Sequence, residues 1–276
     1  MYHSISYTTF HLPERDSFSA HHTFSCGQCF RWEPQEDGSW SGIVRGIPAR
    51  VRDDGGRLLL HTLEGTEPMW RSYFDTQTDY TAVCAQFPDD PFVCSAVKFG
   101  TGLRILHQDA WEALCVFLFS QCNNIPRIRA ITDRFCTLFG EPIQWEDRTY
   151  YAFPTPERIA ARNPDELAPL RAGYRAPYVH HAAQAVCAGE INLDALEQLD
   201  SDAARREIMK LRGVGRKVAD CFLLFGLHKL DAFPVDTWIK KIAAFHPAEF
   251  DRWLACPYGG ILQQYLFYYA RETGLN

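Results

Sequence analysis

A short turn with two glycines, Gly213-Val214-Gly215, joins two segments of amphipathic, helix-forming sequence. Glycine permits backbone conformations and close approaches that a Cβ forbids. Residues 204–227 are therefore predicted to form a helix, a tight turn and a second helix. The first N–H groups of the second helix would face outward and bind an anion such as a phosphate. The alternative is a corner between two helices whose glycines serve only packing.

The turn lies in a basic stretch of an acidic chain. The formal net charge is −6, which weakly disfavours a protein that coats nucleic acid without specificity. Around the turn, however, Glu207 is the one acidic residue in a run of cations. That run consists of Arg205, Arg206, Lys210, Arg212, Arg216 and Lys217.

The composition describes a globular chain of 276 residues, 46% of them apolar, which suffices for one large or two medium domains. The sequence shows no export signal, and its longest apolar runs are too short to span a bilayer. Its 10 cysteines lie mostly in apolar, helix-like segments rather than at the spacings of a disulfide scaffold. These features predict a cytoplasmic protein of prokaryotic type with reduced thiols.

Two patterns along the chain predict an α+β fold. Between residues 28 and 62, short β-prone runs alternate with turn clusters, which predicts an antiparallel meander. Helical periodicity begins after Pro68 and prevails beyond His107, where we expect almost no strand. We therefore predict an N-terminal antiparallel β-sheet domain with helices over 1–106 and a mainly α-helical domain over 107–276. Its predicted helices are 110–121, 125–139, 164–170, 178–188, 202–209, 216–227, 237–245 and 259–271.

One stripe of the second hairpin helix carries chemically useful side chains. Lys217 lies one turn into this helix, followed by Cys221 and Phe225 at helical spacing. A neutral lysine amine can attack carbon and form a Schiff base. The simpler interpretation is a solvated lysine that contacts phosphate.

A carboxylate follows about twenty residues later, in the stretch FPVDTWIKK. Pro-x-Asp before a new helix is typical of an N-cap, which is the ordinary role for Asp236. The carboxylate also has a possible catalytic role, since it can stabilise positive charge on a sugar ring and transfer a proton. The two roles are compatible.

These two stretches, LRGVGRKVADC and FPVDTWIKK, resemble the helix-hairpin-helix DNA glycosylases with a Gly/Pro-rich loop and an aspartate, the HhH-GPD superfamily. Four further segments, SCGQCFRW, FSQCNNIPRI, LRAGYRAPYV and GGILQQYLF, narrow the resemblance to 8-oxoguanine DNA glycosylases. The resemblance extends from about residue 25 to near the C-terminus and implies an HhH-GPD glycosylase fold for the helical domain. It implies that Lys217 attacks C1′ of the damaged nucleotide and that Asp236 stabilises the sugar cation. Base excision would then be followed by β-elimination at the abasic site.

The resemblance also implies a pocket for a base that has been flipped out of the duplex. Phe267 and Cys221 would lie on either side of the base, and Gln263 would bind its Watson–Crick edge. The backbone carbonyl of Gly27 would accept the N7 proton that 8-oxoguanine has and guanine lacks.

Other residues would contact the rest of the DNA, according to the same resemblance. Asn123 and Asn124 would enter the space that the base leaves, although both could instead cap a helix. Arg127 and Arg175 would donate to the orphan cytosine, with Tyr174 as a wedge beside it. Trp238 stands where some relatives have a phosphate-binding histidine, and Gly213 and Gly215 would meet phosphate. Cys122 departs from the three consecutive asparagines of the family, which predicts a weaker contact with the orphan base and a less strict preference for cytosine.

The cofactor and partner expectations follow from the same comparison of motifs. No iron–sulfur cluster is expected, because only Cys256 follows Cys221. A structural cation could bind hairpin carbonyls of Met209, Leu211 and Val214 without entering the chemistry. The expected partner is double-stranded DNA containing 8-oxoguanine, bound by a monomer.

Three other functions remain open from the sequence. A noncatalytic helix-hairpin-helix module would explain the hairpin but not the pairing of Lys217 with Asp236. A glycosylase for a different damaged base would use the same motifs. Cys26 and Cys29, with His21 or His22, could form a redox or zinc site, although a lone Cys-x-x-Cys is weak support.

Overall fold

The structure is a computed structural model that describes residues 6–12 and 17–274. The start of the chain, where no export signal is expected, lies partly outside these residues. Within them the chain forms two compact units. Unit 1 contains the chain up to His107 and again from Val235 onward, and unit 2 is Gln108–Pro234. The predicted division at 106 and 107 stays a prediction, and residues 235–276 pack with unit 1.

Unit 1 is built on a five-stranded antiparallel sheet in the order β1-β5-β4-β3-β2. The predicted α+β fold with an N-terminal antiparallel sheet is therefore confirmed. One strand was not anticipated: residues 7–12 pair with residues 57–63, so that Tyr7 faces Leu63 at the edge of the sheet. The strands are β1 (Tyr7–Leu12), β2 (Trp32–Pro34), β3 (Trp40–Val44), β4 (Ile47–Asp54) and β5 (Arg57–Leu63).

The helical segments of the described residues agree with most of the predicted ones. They are α1 (Ala20–Ser25), α2 (Glu67–Tyr73), α3 (Tyr80–Cys84), α4 (Pro91–Phe99), α5 (Ala110–Phe119), α6 (Ile125–Phe139), α7 (Pro156–Ala160), a 3-10 helix (Pro164–Leu170), α8 (Arg175–Cys187), α9 (Leu193–Glu197), α10 (Ser201–Ile208), α11 (Arg216–Gly226), α12 (Thr237–Phe245), α13 (Phe250–Leu254) and α14 (Gly259–Thr273). No helix in the described part of the chain has the length and apolarity needed to cross a membrane.

The expectation of almost no strand beyond His107 was wrong in one place. Unit 2 contains a small hairpin of β6 (Pro142–Trp145) and β7 (Arg148–Tyr151). Trp145 is buried and its ring lies near that of Tyr150. Cross-strand aromatic pairs of this kind stabilise short hairpins, and four-residue strands leave too little alternation to recognise.

Each unit has its own aromatic core. In unit 1, Phe24 stacks on Trp32 with 4.3 Å between the rings, and the Trp32 indole N–H donates to the Tyr73 hydroxyl. In unit 2, Phe117 of α5 stacks on Phe225 of α11 at 5.2 Å. Burial of such large rings supplies much of the hydrophobic stabilisation, and the second pair holds the hairpin helix against α5.

Candidate active site

The hairpin turn uses its two glycines differently. Gly213 has φ +89°, and a Cβ there would collide with the ring of Tyr178. Gly215 has φ −92° and caps α11, and a Cβ there would meet no atom of the described residues within 4 Å. The fold therefore requires glycine at position 213, whereas position 215 is open on its outer side.

A buried ion cluster joins the two hairpin helices. The Asp220 carboxylate of α11 is 1% exposed and accepts from Arg205 of α10 at 2.6 Å and from Arg216 at 2.8 Å. Arg205 also pairs with the exposed Asp202. Buried carboxylates need such partners. The cluster fixes the start of α11 and engages part of the cationic run around the turn.

Lys217 is partly buried in the first turn of α11, two residues after Gly215. Its Nζ donates to the Ser120 hydroxyl at 2.9 Å and lies 5.5 Å from the centre of the Phe117 ring. Cys221, one turn further along α11, is buried. The predicted stripe of amine, thiol and aromatic ring therefore exists on this helix.

The loop between α5 and α6 carries the two predicted asparagines. The Asn124 carboxamide accepts from the backbone of Arg127 and so caps α6. Asn123 donates to the Phe119 carbonyl at 3.0 Å and accepts from the backbone of Asn124. Both side chains therefore have a structural role in the loop, while Arg127 is exposed. Their predicted contacts with DNA stay predictions.

Arg175 clamps this loop. It is 4% exposed, and its guanidinium donates to the carbonyls of Gln121, Cys122 and Ala172. Cys122 is held at φ +46°, a left-handed conformation that non-glycine residues rarely adopt. Tyr174 is 50% exposed and donates to the Gln121 carbonyl at 3.3 Å. The sequence predicted a DNA contact for Arg175 and did not anticipate the clamp.

In unit 1, Asp236 caps α12. Its Oδ1 accepts from the backbone N–H of Ile239 at 2.8 Å, so the capping role is present. Trp238 lies within the first turn of the same helix, and the Lys241 ammonium lies 4.8 Å from its ring centre. The chemical role of Asp236 and the phosphate contact of Trp238 stay predictions.

Helix α14 presents Gln263, Phe267 and Arg271 at helical spacing. Gln263 is 3% exposed, and its Oε1 has no hydrogen-bond partner among the described residues. A buried amide oxygen without a partner is costly and needs an explanation. Arg271 lies 5.4 Å from the ring centre of Phe267, which is partly exposed.

Helix α14 holds the backbone just before Gly27 through two hydrogen bonds. Gln264 donates to the Cys26 carbonyl at 2.7 Å, and Arg271 donates to the Ser25 carbonyl at 2.6 Å. Gly27 has φ +87° and is partly exposed, while Cys26 and Gln28 are buried. The sequence did not indicate Gln264 or Arg271, because their contacts span more than 200 positions of the chain.

The two cysteines around Gly27 do not have the properties of a reactive thiol pair. Both are buried. Burial raises the pKa of Cys26 to about 11, against smaller opposing effects such as a hydrogen bond from Gln28. A thiol with such a pKa is a poor nucleophile at neutral pH. Among the described residues, no cluster of three His, Cys, Asp or Glu side chains is arranged to hold a metal.

The fold and these sites define a helix-hairpin-helix protein with an N-terminal antiparallel sheet. The family model described as 8-oxoguanine DNA glycosylase, N-terminal domain, matches residues 11–114, and that described as HhH-GPD superfamily base excision DNA repair protein matches residues 115–246.

Named relatives agree with these two matches. A probable N-glycosylase/DNA lyase of Methanothermobacter thermautotrophicus is 30% identical over 275 residues, which cover 84% of this chain and 86% of that protein. The N-glycosylase/DNA lyase of Saccharomyces cerevisiae is 38% identical over 154 residues, which cover 51% of this chain and 41% of the yeast protein. The Clostridium acetobutylicum 8-oxoguanine glycosylase/lyase, solved with double-stranded DNA containing cytosine opposite 8-oxoguanine, has a TM-score of 0.92, 33% identity and 99% coverage of both chains. This chain belongs to the 8-oxoguanine DNA glycosylase family of the HhH-GPD superfamily, a family of N-glycosylase/DNA lyases.

Proposed function

We propose that this protein excises 8-oxoguanine from duplex DNA, opposite cytosine, and then cleaves the strand at the abasic site. The observation that carries the proposal is the position of the Lys217 amine. This amine is partly buried in the first turn of α11, directly after the two-glycine turn, and lies against the Ser120 hydroxyl and the Phe117 ring. A lysine in such surroundings is restrained and partly desolvated, as a nucleophile requires.

The chemistry follows in two steps. The neutral Lys217 amine attacks C1′, the N-glycosidic bond breaks, and its electron pair leaves with the base, which takes up a proton. Asp236 stabilises the positive charge that develops on the sugar. The C1′–O4′ bond of the resulting aminal then opens, O4′ takes up a proton, and a protonated Schiff base forms between Lys217 and C1′. The Schiff base acidifies C2′, so loss of a C2′ proton expels the 3′-phosphate and cleaves the strand.

Two features of unit 1 support recognition of a purine. The Oε1 atom of Gln263 is an acceptor without a partner among the described residues, and the Watson–Crick edge of 8-oxoguanine presents N–H donors. Gly27 exposes its backbone between two buried neighbours, which suits acceptance of the N7 proton by its carbonyl. The family resemblance assigns the two faces of the flipped base to Phe267 and Cys221.

The remaining contacts are proposed on the duplex itself. One phosphate would bind at the first turn of α11, beside Gly213 and Gly215. A second phosphate would contact Trp238. The orphan cytosine would contact the stretch 121–124 together with Arg127, Tyr174 and Arg175. We propose a cytoplasmic monomer that needs no cofactor for its chemistry, with a structural cation at the carbonyls of Met209, Leu211 and Val214.

Borohydride trapping tests the proposal directly. Four duplexes, each with 8-oxoguanine opposite a different base, are incubated separately with the protein and sodium borohydride. A covalent adduct that forms fastest opposite cytosine and disappears in Lys217→Gln supports the proposal. Binding without an adduct would indicate a noncatalytic module, and an adduct only with another damaged base would indicate a different substrate.

A further inference from the structure

The hydrogen bond between Lys217 and Ser120 has a defined direction. Ser120 follows α5, and its hydroxyl donates its one proton to the Phe117 carbonyl at 2.7 Å. The hydroxyl oxygen is therefore left as an acceptor, and Lys217 Nζ donates to it at 2.9 Å. One N–H bond of the amine thus has a fixed orientation.

The same wall of α5 restrains the amine from a second side. The Phe117 ring centre lies 5.5 Å from Nζ and the ring is stacked on Phe225. Phe117 and Ser120 are three positions apart at the end of α5, so the ring and the hydroxyl lie on one face of the helix. A long lysine side chain that would otherwise sample many rotamers is thereby confined.

Ser120 is itself held in place by the clamp on the next residues. The Gln121 carbonyl accepts from the Arg175 Nε at 2.7 Å and from the Tyr174 hydroxyl at 3.3 Å. The Cys122 carbonyl accepts from Arg175 at 3.0 Å. The loop that carries the two asparagines is therefore tied to the residue that orients Lys217.

We infer that Ser120 is a positioning residue for Lys217, which it holds in the orientation needed for attack. When the amine is neutral, it has two N–H bonds and one lone pair. With one N–H directed to Ser120, the lone pair cannot face the Ser120 oxygen and is available to an electrophile. Fixing a nucleophile in this way accelerates attack without any need for tighter binding. The inference rests on the proposed function for the identity of the electrophile.

Single-turnover trapping separates orientation from binding. In Ser120→Ala, the rate constant of adduct formation falls by about tenfold, the equivalent of one lost hydrogen bond to a charged or reacting group. The Kd for the same duplex changes by less than about twofold, because the groups bonded to the Ser120 hydroxyl, the Phe117 carbonyl and the Lys217 amine, are not among the proposed duplex contacts. Ser120→Thr keeps the hydroxyl and restores most of the rate.

Ser95→Ala is the matched control. The Ser95 hydroxyl also donates to a backbone carbonyl one turn earlier, that of Pro91 at 2.8 Å. Its removal leaves trapping unchanged. An unchanged rate in Ser120→Ala, or an equal loss in Ser120→Thr, overturns the inference.

A second readout uses the protein without DNA. Reductive methylation with formaldehyde, followed by peptide mass spectrometry, reports how readily the Lys217 amine reacts. A small free reagent can approach from any direction, so it gains when the amine is released from Ser120, whereas a bound nucleotide needs the fixed orientation. Methylation of Lys217 should therefore rise severalfold in Ser120→Ala and not in Ser120→Thr, and an equal rate in wild type and Ser120→Ala overturns the inference. If wild-type protein forms no adduct with any duplex, the proposed function fails, while methylation still decides the role of Ser120.

Discussion

The ring of Tyr178 lies directly against Gly213, so that no Cβ fits between helix α8 and the hairpin turn. The same ring makes an edge contact with Tyr174 at 5.9 Å. Gly213 also has φ +89°. In Gly213→Ala, left-handed strain and overpacking together should lower the free energy of unfolding by about 2–4 kcal/mol. Urea unfolding followed by circular dichroism measures this loss, and a stability equal to wild type would contradict the packing argument.

Gly215→Ala should behave in the opposite way. Within residues 6–12 and 17–274, a Cβ there meets nothing within 4 Å, and φ is −92°. The free energy of unfolding should therefore change by less than about 1 kcal/mol. The methyl group would, however, occupy the space through which a phosphate approaches α11. Affinity for duplex DNA should fall by about tenfold, measured by fluorescence anisotropy at fixed salt. Unchanged affinity would show that the turn does not contact phosphate.

Two carboxylates pair with Arg205, and the buried one, Asp220, is expected to contribute more to stability than the exposed one, Asp202. Asp220→Asn leaves Arg205 without its buried counter-ion and should cost about 3 kcal/mol in the free energy of unfolding. Asp202→Asn removes an exposed partner of the same guanidinium and should cost less than about 1 kcal/mol. Thermal and urea unfolding of both variants test the difference, and equal losses would contradict it.

Arg175 should be needed for the loop as well as for any contact with cytosine. A lysine retains the charge but has a single donor group and cannot bridge the carbonyls of Gln121, Cys122 and Ala172. Arg175→Lys should therefore lower the free energy of unfolding by about 1–3 kcal/mol and slow excision opposite every base. In contrast, Arg127→Ala, at an exposed site, should weaken only the preference for cytosine. A stable Arg175→Lys variant with altered base preference alone would exclude the clamp.

The sequence was most informative where a cap, a glycine or a proline marks the backbone. The bounds of α6 and α12 were predicted correctly because Asn124 and Asp236 cap them. The edge strand β1 was missed, since pairing with β5 depends on residues some fifty positions away.

In the candidate site, too, the sequence did not reveal contacts between residues far apart in the chain. Family motifs indicated Lys217 and Gln263, but not the residues that hold them or the Gly27 loop. Ser120 is 97 positions from Lys217, and Gln264 is 238 positions from Cys26. Such long-range hydrogen bonds have no local sequence pattern, so only the tertiary structure assigns these roles.

The Gly27 loop allows the thiols to be separated from the backbone by mutation. Because the pKa of Cys26 is raised to about 11 by burial, its reactive thiolate is scarce at neutral pH. Cys26→Ser with Cys29→Ser should retain most excision activity, although loss of two buried thiols lowers stability somewhat. Gly27→Val, at φ +87°, introduces backbone strain and a branched side chain where the purine would approach. It should abolish most excision of 8-oxoguanine while cleavage at a preformed abasic site continues. Loss of activity in the double serine variant with full activity in Gly27→Val would restore the thiol interpretation.

Gln264→Leu removes the anchor of the Cys26 carbonyl. This change should reduce the preference for 8-oxoguanine over guanine by roughly tenfold, the equivalent of one buried hydrogen bond. Competition between duplexes with 8-oxoguanine and guanine measures that ratio.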